Sequence, residues 1–417
     1  MQRILCFAFA IAFAGPVAGS EQVTLTKKEA IARALQQHPL LTAARKKSEA
    51  AQGRKISVSA FPNPSFVIVP MGTTADNPIV FEQVLELPFK RSLRVQASDR
   101  EVAASLAEYQ ATVLDVTLGV KVAYAELQAA VSIRVLTEEA AELSRTLRDL
   151  AQKQHAIGAV PLVHILRTDI ESQQVEQEVI QARAEVFARQ VALNLAMGQE
   201  TSVPVLPAEE LSYQPLSLSA KALKALALEQ RPEIQAAQHR LTAQRFIVKS
   251  LRAQRLPDLF ALARLGEDQR AVRLTAPRFG IGITLPLLDL GRISGEIRAA
   301  QAQVEEQEAV LDQTKRVVLA EVETATQRVL AASQVVETYQ QRIVPIAEDL
   351  LKRIKAAYAE GGSTLLELID AQQTWRRTRR QLVEATATYV KAVAYLERAV
   401  GGELPLADTN PERSASQ

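Results

Sequence analysis

A chain of 417 residues has room for two or three ordinary domains. Its formal net charge is only +2, which supplies no field for a polyanion and argues against nucleic acid as a partner. Aromatic residues are few, and Ala, Gln, Glu, Arg, Leu and Val dominate, a composition that favours long helices.

The N-terminus reads MQRILCFAFAIAFAGPVAGSEQ. Arg3, the apolar run Ile4–Ala14 and the small residues Ala18, Gly19 and Ser20 predict a secretory signal peptide over residues 1–20. The one cysteine, Cys6, lies inside that run, so a mature chain without thiol, disulfide or acyl anchor is expected, not a lipoprotein. No later stretch reaches the ~18–20 apolar residues of a membrane helix. Any crossing of a membrane therefore has to use strands.

The rest is written twice. LTKKEAIARALQQHPLLTAA (25–44) lines up with LSAKALKALALEQRPEIQAA (218–237), with His38-Pro39 over Arg231-Pro232. Pro64 then matches Pro257, Leu87-Pro88 matches Leu285-Pro286, Gly158 matches Gly361 and Gly198 matches Gly401. The expected organisation is a first repeat over 21–198, a connecting segment over 199–217, a second repeat over 218–401 and a polar, disordered tail over 402–417. Each repeat predicts a helix broken at the X-Pro step, two strands, a very long helix, a glycine turn and a final helix. The strands are expected near 63–70, 79–88, 257–266 and 277–287, and the long helices near 91–155 and 291–357.

The first long helix carries apolar residues in 4-3 steps at Val102, Leu106, Tyr109, Val113, Val116, Val120, Ala123, Leu127 and Ala130. That period of 3.5 predicts a left-handed coiled-coil seam. The second copy keeps Val304, Leu311, Val318, Val322, Ala325 and Val329 but puts Glu308 and Lys315 at two of the seam positions. The strands alternate. Phe279, Ile281, Ile283 and Leu285 face one way with Gly280, Gly282 and Thr284 opposite, and Phe81, Leu85 and Leu87 oppose Glu82 and Glu86, with Gln83 out of pattern. Such patterning suits a membrane barrel strand and equally a half-buried hairpin. Four strands cannot close a barrel with a lumen, so transmembrane strands would need several chains around one axis.

A signal peptide followed by two copies of helix, hairpin, long helix, turn and helix resembles the TolC-type outer-membrane efflux protein family over essentially the whole mature chain. VLELPFKRSLRVQAS (84–98) is similar to the hairpin-to-helix junction of its heavy-metal, CzcC-like branch, with Phe89-Lys90-Arg91 where that branch commonly has Gly-Lys-Arg. The resemblance implies a mainly α fold with a small membrane β part. A homotrimer would share a twelve-stranded β-barrel in the outer membrane and an α-barrel in the periplasm, and the 199–217 segment would belong to a belt around the helices. It implies an exit duct for a periplasmic membrane-fusion adaptor and an inner-membrane resistance-nodulation-division pump. Phe81, Leu85, Leu87, Phe279, Ile281, Ile283 and Leu285 would face outer-membrane lipid.

Gly158 and Gly361-Gly362 allow the chain to reverse between antiparallel helices, since glycine takes φ > 0 without steric cost. The resemblance adds that the tips Gly158, Ala159, Val160, Pro161, Leu162 and Gly361, Gly362, Ser363, Thr364, Leu365 would dock the adaptor. Glu367 and Asp370 lie one helical turn apart on one face. By spacing alone they are a solvated acidic stripe. By resemblance they line the narrowest part of the pore, with Tyr358 helping to hold it shut. Six carboxylates in a trimer would then form a cation-attracting, pH-sensitive constriction. The first tip has His164 and Arg167 instead, and WRRTRRQ (375–381) predicts a solvated or intersubunit salt-bridged arginine stripe rather than a substrate contact.

An enzyme is not expected: there is no G-x-S-x-G, P-loop, G-x-G-x-x-G or H-E-x-x-H. His38, His155, His164 and His239 lack ligand spacing, so neither a cofactor nor a bound metal is expected. Heavy-metal cations are the expected cargo. A multidrug or general export duct is the alternative, and a soluble periplasmic coiled-coil adaptor the remote one.

Overall fold

The computed structural model describes residues 23–68, 79–158, 160–216, 219–265, 267–268, 273–274, 278–284 and 290–404. The expected signal peptide with Cys6, Ala159, Leu285 and the tail beyond 404 lie outside them.

Helix dominates, as the composition requires. In the first half α1 (Lys27–Gln37) and α2 (Pro39–Ser59) precede α3 (Pro88–Ala156) and α4 (Leu162–Ala196). The 69 residues of α3 make it about 100 Å long at 1.5 Å per residue. In the second half α5 (Ala220–Gln230) and α6 (Pro232–Ala253) precede α7 (Arg292–Thr338), α8 (Val344–Ala359) and α9 (Leu365–Val400). The single long helix expected over 291–357 is thus interrupted: a π-helical turn, Tyr339–Ile343, separates α7 from α8. The cause is Pro345, which has no N–H to give to the turn before it; the ladder widens there.

The seam is real over its middle and shifts at one end. Val116, Val120, Ala123, Leu127 and Ala130 are buried together with Val186, Leu193 and Met197 of the α4 end. Toward the strands, Leu106 is 45% exposed and Ala104 and Ala107 are buried in its place. The α6 helix packs there as well, and small residues let it approach α3 closely. Val318, Val322, Ala325 and Val329 build the matching core of the second half with Tyr389, Leu396 and Val400. Glu308, at its seam position, is exposed and paired with Arg245 at 2.7 Å.

The punctuation shared by the repeats has a common spatial meaning. His38 and Arg231 sit in extended conformation before their prolines, ending α1 and α5 and starting α2 and α6. Gly198, at φ +70°, follows α4, and a Cβ there would lie 2.8 Å from His38 Cα and 2.9 Å from Pro39 Cδ. Gly401, at φ +99°, follows α9 and would place a Cβ 3.2 Å from the carbonyl carbon of Gln230, beside Arg231. Each repeat therefore presses the glycine ending its last helix onto its own X-Pro joint. At the second joint Arg231, only 3% exposed, donates to the carbonyls of Arg398 and Ala399 and pairs with Glu233 and Glu321. Burial works to raise the Glu233 carboxyl, but Arg231 and Arg398 beside it prevail and hold it below its ordinary range.

The halves are tied along α3 and α9 by Asp115–Arg398, Lys121–Glu397 and Glu126–Lys391, the last also bonded to Arg189. The connecting segment is strapped to both. Its strand β4 (Val205–Pro207) runs parallel to β1 (Val23–Leu25), Gln128 donates to Glu209 O, and Tyr389 donates to Gln214 O at 2.6 Å. Burial, with Tyr213 packed edge-on at 4.7 Å, pushes the Tyr389 phenol up to about 12.

The strands β2 (Ser65–Ile68), β3 (Ile79–Leu85), β5 (Asp258–Leu265) and β8 (Arg278–Thr284) form one antiparallel sheet in the order β2-β3-β5-β8. A short ladder of β6 (Glu267–Asp268) with β7 (Arg273–Leu274) extends the second hairpin. Within the described residues β2, β3 and β5 are shorter than their expected spans, and β8 fills the described part of its own.

Candidate functional site

Register decides which strand residues share a face. Phe66, Phe81, Ala263 and Phe279 form one row, Gln83, Ala261 and Ile281 the next, and Leu85, Leu259 and Ile283 the third. This face is apolar, and Phe279 and Ile281 are 80% and 79% exposed. Gln83, the residue out of pattern, is neutralised locally: its Nε2 donates to Pro62 O and Val84 O, both at 2.9 Å. Leu87 does not join the face. It lies beyond β3, where it caps α3 and its carbonyl accepts from Lys90 N, because Pro88 starts the helix.

The opposite face carries Glu82, Phe260, Leu262, Arg264 and Arg278. It is less uniformly polar than the alternation led us to expect. Gly282 and Gly280 lie beneath Phe260 and Leu262; a Cβ at 282 would meet the Phe260 ring at 2.0 Å. The glycines exist to seat those side chains.

At the strand-to-helix junction, Lys90 is buried and its Nζ donates to Leu256 O at 2.7 Å and Asp258 Oδ1 at 2.8 Å. Arg91 donates to Ser59 O at 2.7 Å and stacks on Phe61. The Phe89-Lys90-Arg91 stretch is thus a clamp: Lys90 ties α3 to the start of the second hairpin and Arg91 ties it to the end of α2.

The two tips differ. After α3 the chain turns at Gly158, φ +75°, whose N–H donates to His155 O, while His155 Nδ1 lies 2.7 Å from Val160 O. Pro161 then opens α4. Ile157, Leu162, Val163, Leu166 and Ile170 are exposed around this turn. Of these only Leu162 was expected, although the 3-4 spacing of 163, 166 and 170 is visible in the sequence. His164 is half-buried and Arg167 exposed.

After α8, Gly361 N donates to Tyr358 O and Gly362 N to Ala357 O at 2.8 Å, the paired bonds of a Schellman turn. Thr364 caps α9. Its hydroxyl accepts from Glu367 N, and Glu367 Oε2 accepts from Thr364 N at 2.8 Å and from Ser363 Oγ at 2.6 Å. The Ser363 hydroxyl, then the Thr364 backbone and side chain, hold the Glu367 carboxyl below its ordinary range. Glu367 and Asp370 share the exposed face of α9, and Tyr358 is half-buried. Leu365, expected among the exposed tip residues, is 3% exposed: as the first residue of α9 it turns inward on the stripe of Leu368 and Ile369. Among the WRRTRRQ arginines, Arg376 pairs with Glu171 and Glu178 of α4, while Arg379 and Arg380 pair with Glu348 and Glu384. No group of three or more His, Cys, Asp or Glu able to hold a metal occurs among the described residues.

Residues 223–402 match the sequence profile described as outer membrane efflux protein. Over these residues the chain is similar to that family. Its fold is that of solved outer-membrane channels. It superposes on OprN with a TM-score of 0.75 at 20% identity, covering 90% of each chain. On VceC from Vibrio cholerae the TM-score is 0.73 at 23% identity, covering 90% of this chain and 96% of that one. Among curated proteins, nodulation protein T of Rhizobium leguminosarum bv. trifolii is 25% identical over 265 residues, 61% of this chain and 56% of the relative. The alkaline protease secretion protein AprF of Pseudomonas aeruginosa is 25% identical over 290 residues, 66% of this chain and 60% of the relative. The chain thus spans less than two thirds of these relatives' length. Both of these solved structures are described as outer-membrane proteins.

Proposed function

We propose that the protein is the passive exit duct of a tripartite efflux system, formed by three copies around one axis. The observation that carries this is the sheet: one exposed apolar face and two unpaired edges, β2 and β8, that lipid tolerates only when other strands close them. Three copies give twelve strands, an even number within the range of such barrels.

The helices support a ring. Along α4 a second apolar stripe, Leu166, Ile170, Ile180, Phe187 and Leu195, is exposed on the side away from α3. Along α7 and α8 a different stripe is exposed, Val310, Val317, Val335, Ile346 and Leu350. Two different unpartnered faces on one protomer fit a head-to-tail ring. The tips would dock a periplasmic adaptor, with the apolar α3–α4 turn the larger surface, and an inner-membrane pump would deliver cargo. Glu367 and Asp370 would line the inner constriction, with Tyr358 behind them. No step of bond-making chemistry is assigned to the chain.

Cargo is the finer question. The heavy-metal reading rested on Phe89-Lys90-Arg91, and those residues hold a junction, so the motif says nothing about what passes. A deletion strain tested on metal salts and on dyes, detergents and antibiotics separates the two cargo classes. The duct itself is tested by purification from outer membrane in detergent, mass determination and planar-bilayer recording. A monomer with no conductance would overturn it.

A further inference from the structure

On the face opposite the apolar one, the row farthest from the helices holds Val67, Val80, Arg264 and Arg278, one residue inside the end row of Ile68, Ile79 and Leu265. Arg264 and Arg278 are direct partners across neighbouring strands, and both are exposed. Like charges directly opposite each other destabilise a ladder. Neither arginine has an acidic partner among the described residues. The acids of the same strands are placed elsewhere: Asp258 is held by Lys90, Glu86, just after β3, by Arg94, and Glu82 sits one pleat lower, opposite Leu262 and Ser65. From Arg264 to Arg278 the sequence contains four arginines against two acids, Glu267 and Asp268.

We propose that Arg264 and Arg278 form a cationic ring at the outer mouth of the duct, a weak site for multiply charged anions leaving it. The inference rests on the three-copy barrel described above, which turns one pair into six guanidinium groups around the axis. The apolar face must take the lipid, so the arginine row lines the lumen. The α3 and α7 helices leave from the other end of the sheet, so with the helices in the periplasm this row faces outward. Beneath it lie Leu262 and Phe260 over their glycines, with Glu82 and Ser65 in the row of Leu262. Guanidinium is always charged, weakly hydrated and presents a planar fork of donors, which suits phosphate, sulfate and carboxylate groups. Rings of arginine select for anions, and a site that must release its cargo has to stay weak. The acids at the inner tip are opposite in sign, so the two ends of the duct impose different electrostatic conditions on a solute.

The test is planar-bilayer recording of the full-length protein with inorganic tripolyphosphate added to one side at a time. The wild type should be blocked from one side at about tenfold lower concentration than from the other, and raised salt should weaken the block. Arg264→Gln with Arg278→Gln should abolish the difference between sides, and Arg264→Lys with Arg278→Lys should retain most of it. Pores blocked equally from both sides, or a Gln variant blocked like the wild type, would overturn the ring while leaving the duct intact. A chain that forms no pore overturns the duct reading and the ring with it. If the Gln variant does not assemble, the Lys variant still decides: loss of sidedness with charge retained refutes the assignment.

Discussion

Substituting Gly198 by alanine should destabilise the first repeat for two separable reasons. The residue sits at φ +70°, and an L-residue in the left-handed region costs about 1–2 kcal/mol. The added Cβ would also stand 2.8 Å from His38 Cα and 2.9 Å from Pro39 Cδ, well inside van der Waals contact. The nearest atom is backbone, so no rotamer change relieves it, and overpacking of this kind costs about 1–3 kcal/mol more. Gly158 supplies the control. It has φ +75° but nothing within 4 Å of the added Cβ, so Gly158→Ala should show the backbone cost alone. Thermal melting by circular dichroism in one detergent, at matched concentration and scan rate, compares them. At about 2–4 °C per kcal/mol for a unit this size, Gly198→Ala should melt some 2–12 °C below Gly158→Ala. Equal midpoints would refute the reasoning, because they would mean that the close approach of the α4 end to the joint contributes nothing.

Other outcomes follow from the same geometry. Glu367 has a folded pKa below its unfolded value, so its capping contribution is present above about pH 4.5 and is lost as pH falls through the lower folded value; hydrogen-exchange protection at the start of α9, taken relative to the intrinsic rate at each pH, should fall on acidification in the wild type and lose that dependence in Glu367→Gln. Arg376→Ala should leave Glu171, 8% exposed, with only Gln373 as partner, and loosen α9 from α4 by about 1–3 kcal/mol; limited proteolysis near the tips reads this, and unchanged cleavage would count against it. Gly282→Ala should cut the yield of assembled protein because the Phe260 ring must leave its seat, and Phe260→Ala in the same chain should restore it. Lys90→Met should weaken the helix-to-strand junction without altering resistance to metals relative to other cargo if Lys90 is a clamp.

The repeat, the helix ends and the strand faces were legible because each depends on residues close in sequence. Glycine after a helix, proline after an extended residue and apolar residues every second or every three to four positions all state local geometry. The π-turn at Tyr339–Ile343 was announced by Pro345 and passed over. Leu365 was misplaced because position at a tip does not reveal which side of a helix faces in. Lys90 was read as a branch mark because its partners, Leu256 and Asp258, are more than 160 residues away. Only packing shows that the charge is spent inside the fold. The exposed stripes on α4, α7 and α8 were hidden for a related reason: both faces of these helices are apolar, and the seam toward the core drew the eye first.

The two repeats differ in length, yet their long helices match to within one residue. The segments α7, π-turn and α8 contain 47, 5 and 16 residues, together one fewer than α3, while α4 and α9 have 35 and 36. The extra residues of the second copy fall instead between Pro257 and Leu285 and between Leu285 and Arg292. A single residue added to an α-helix lengthens it by about 1.5 Å and rotates everything beyond it by about 100°. In a pair of arms that must end level and keep their stripes aligned, that makes the helices a gauge. Drift since the duplication has been confined to places where neither length nor phase is being measured. A graft between such chains should therefore exchange whole arms from joint to tip, or shorten both arms by whole heptads, and a change to one arm alone would leave the tips at different depths.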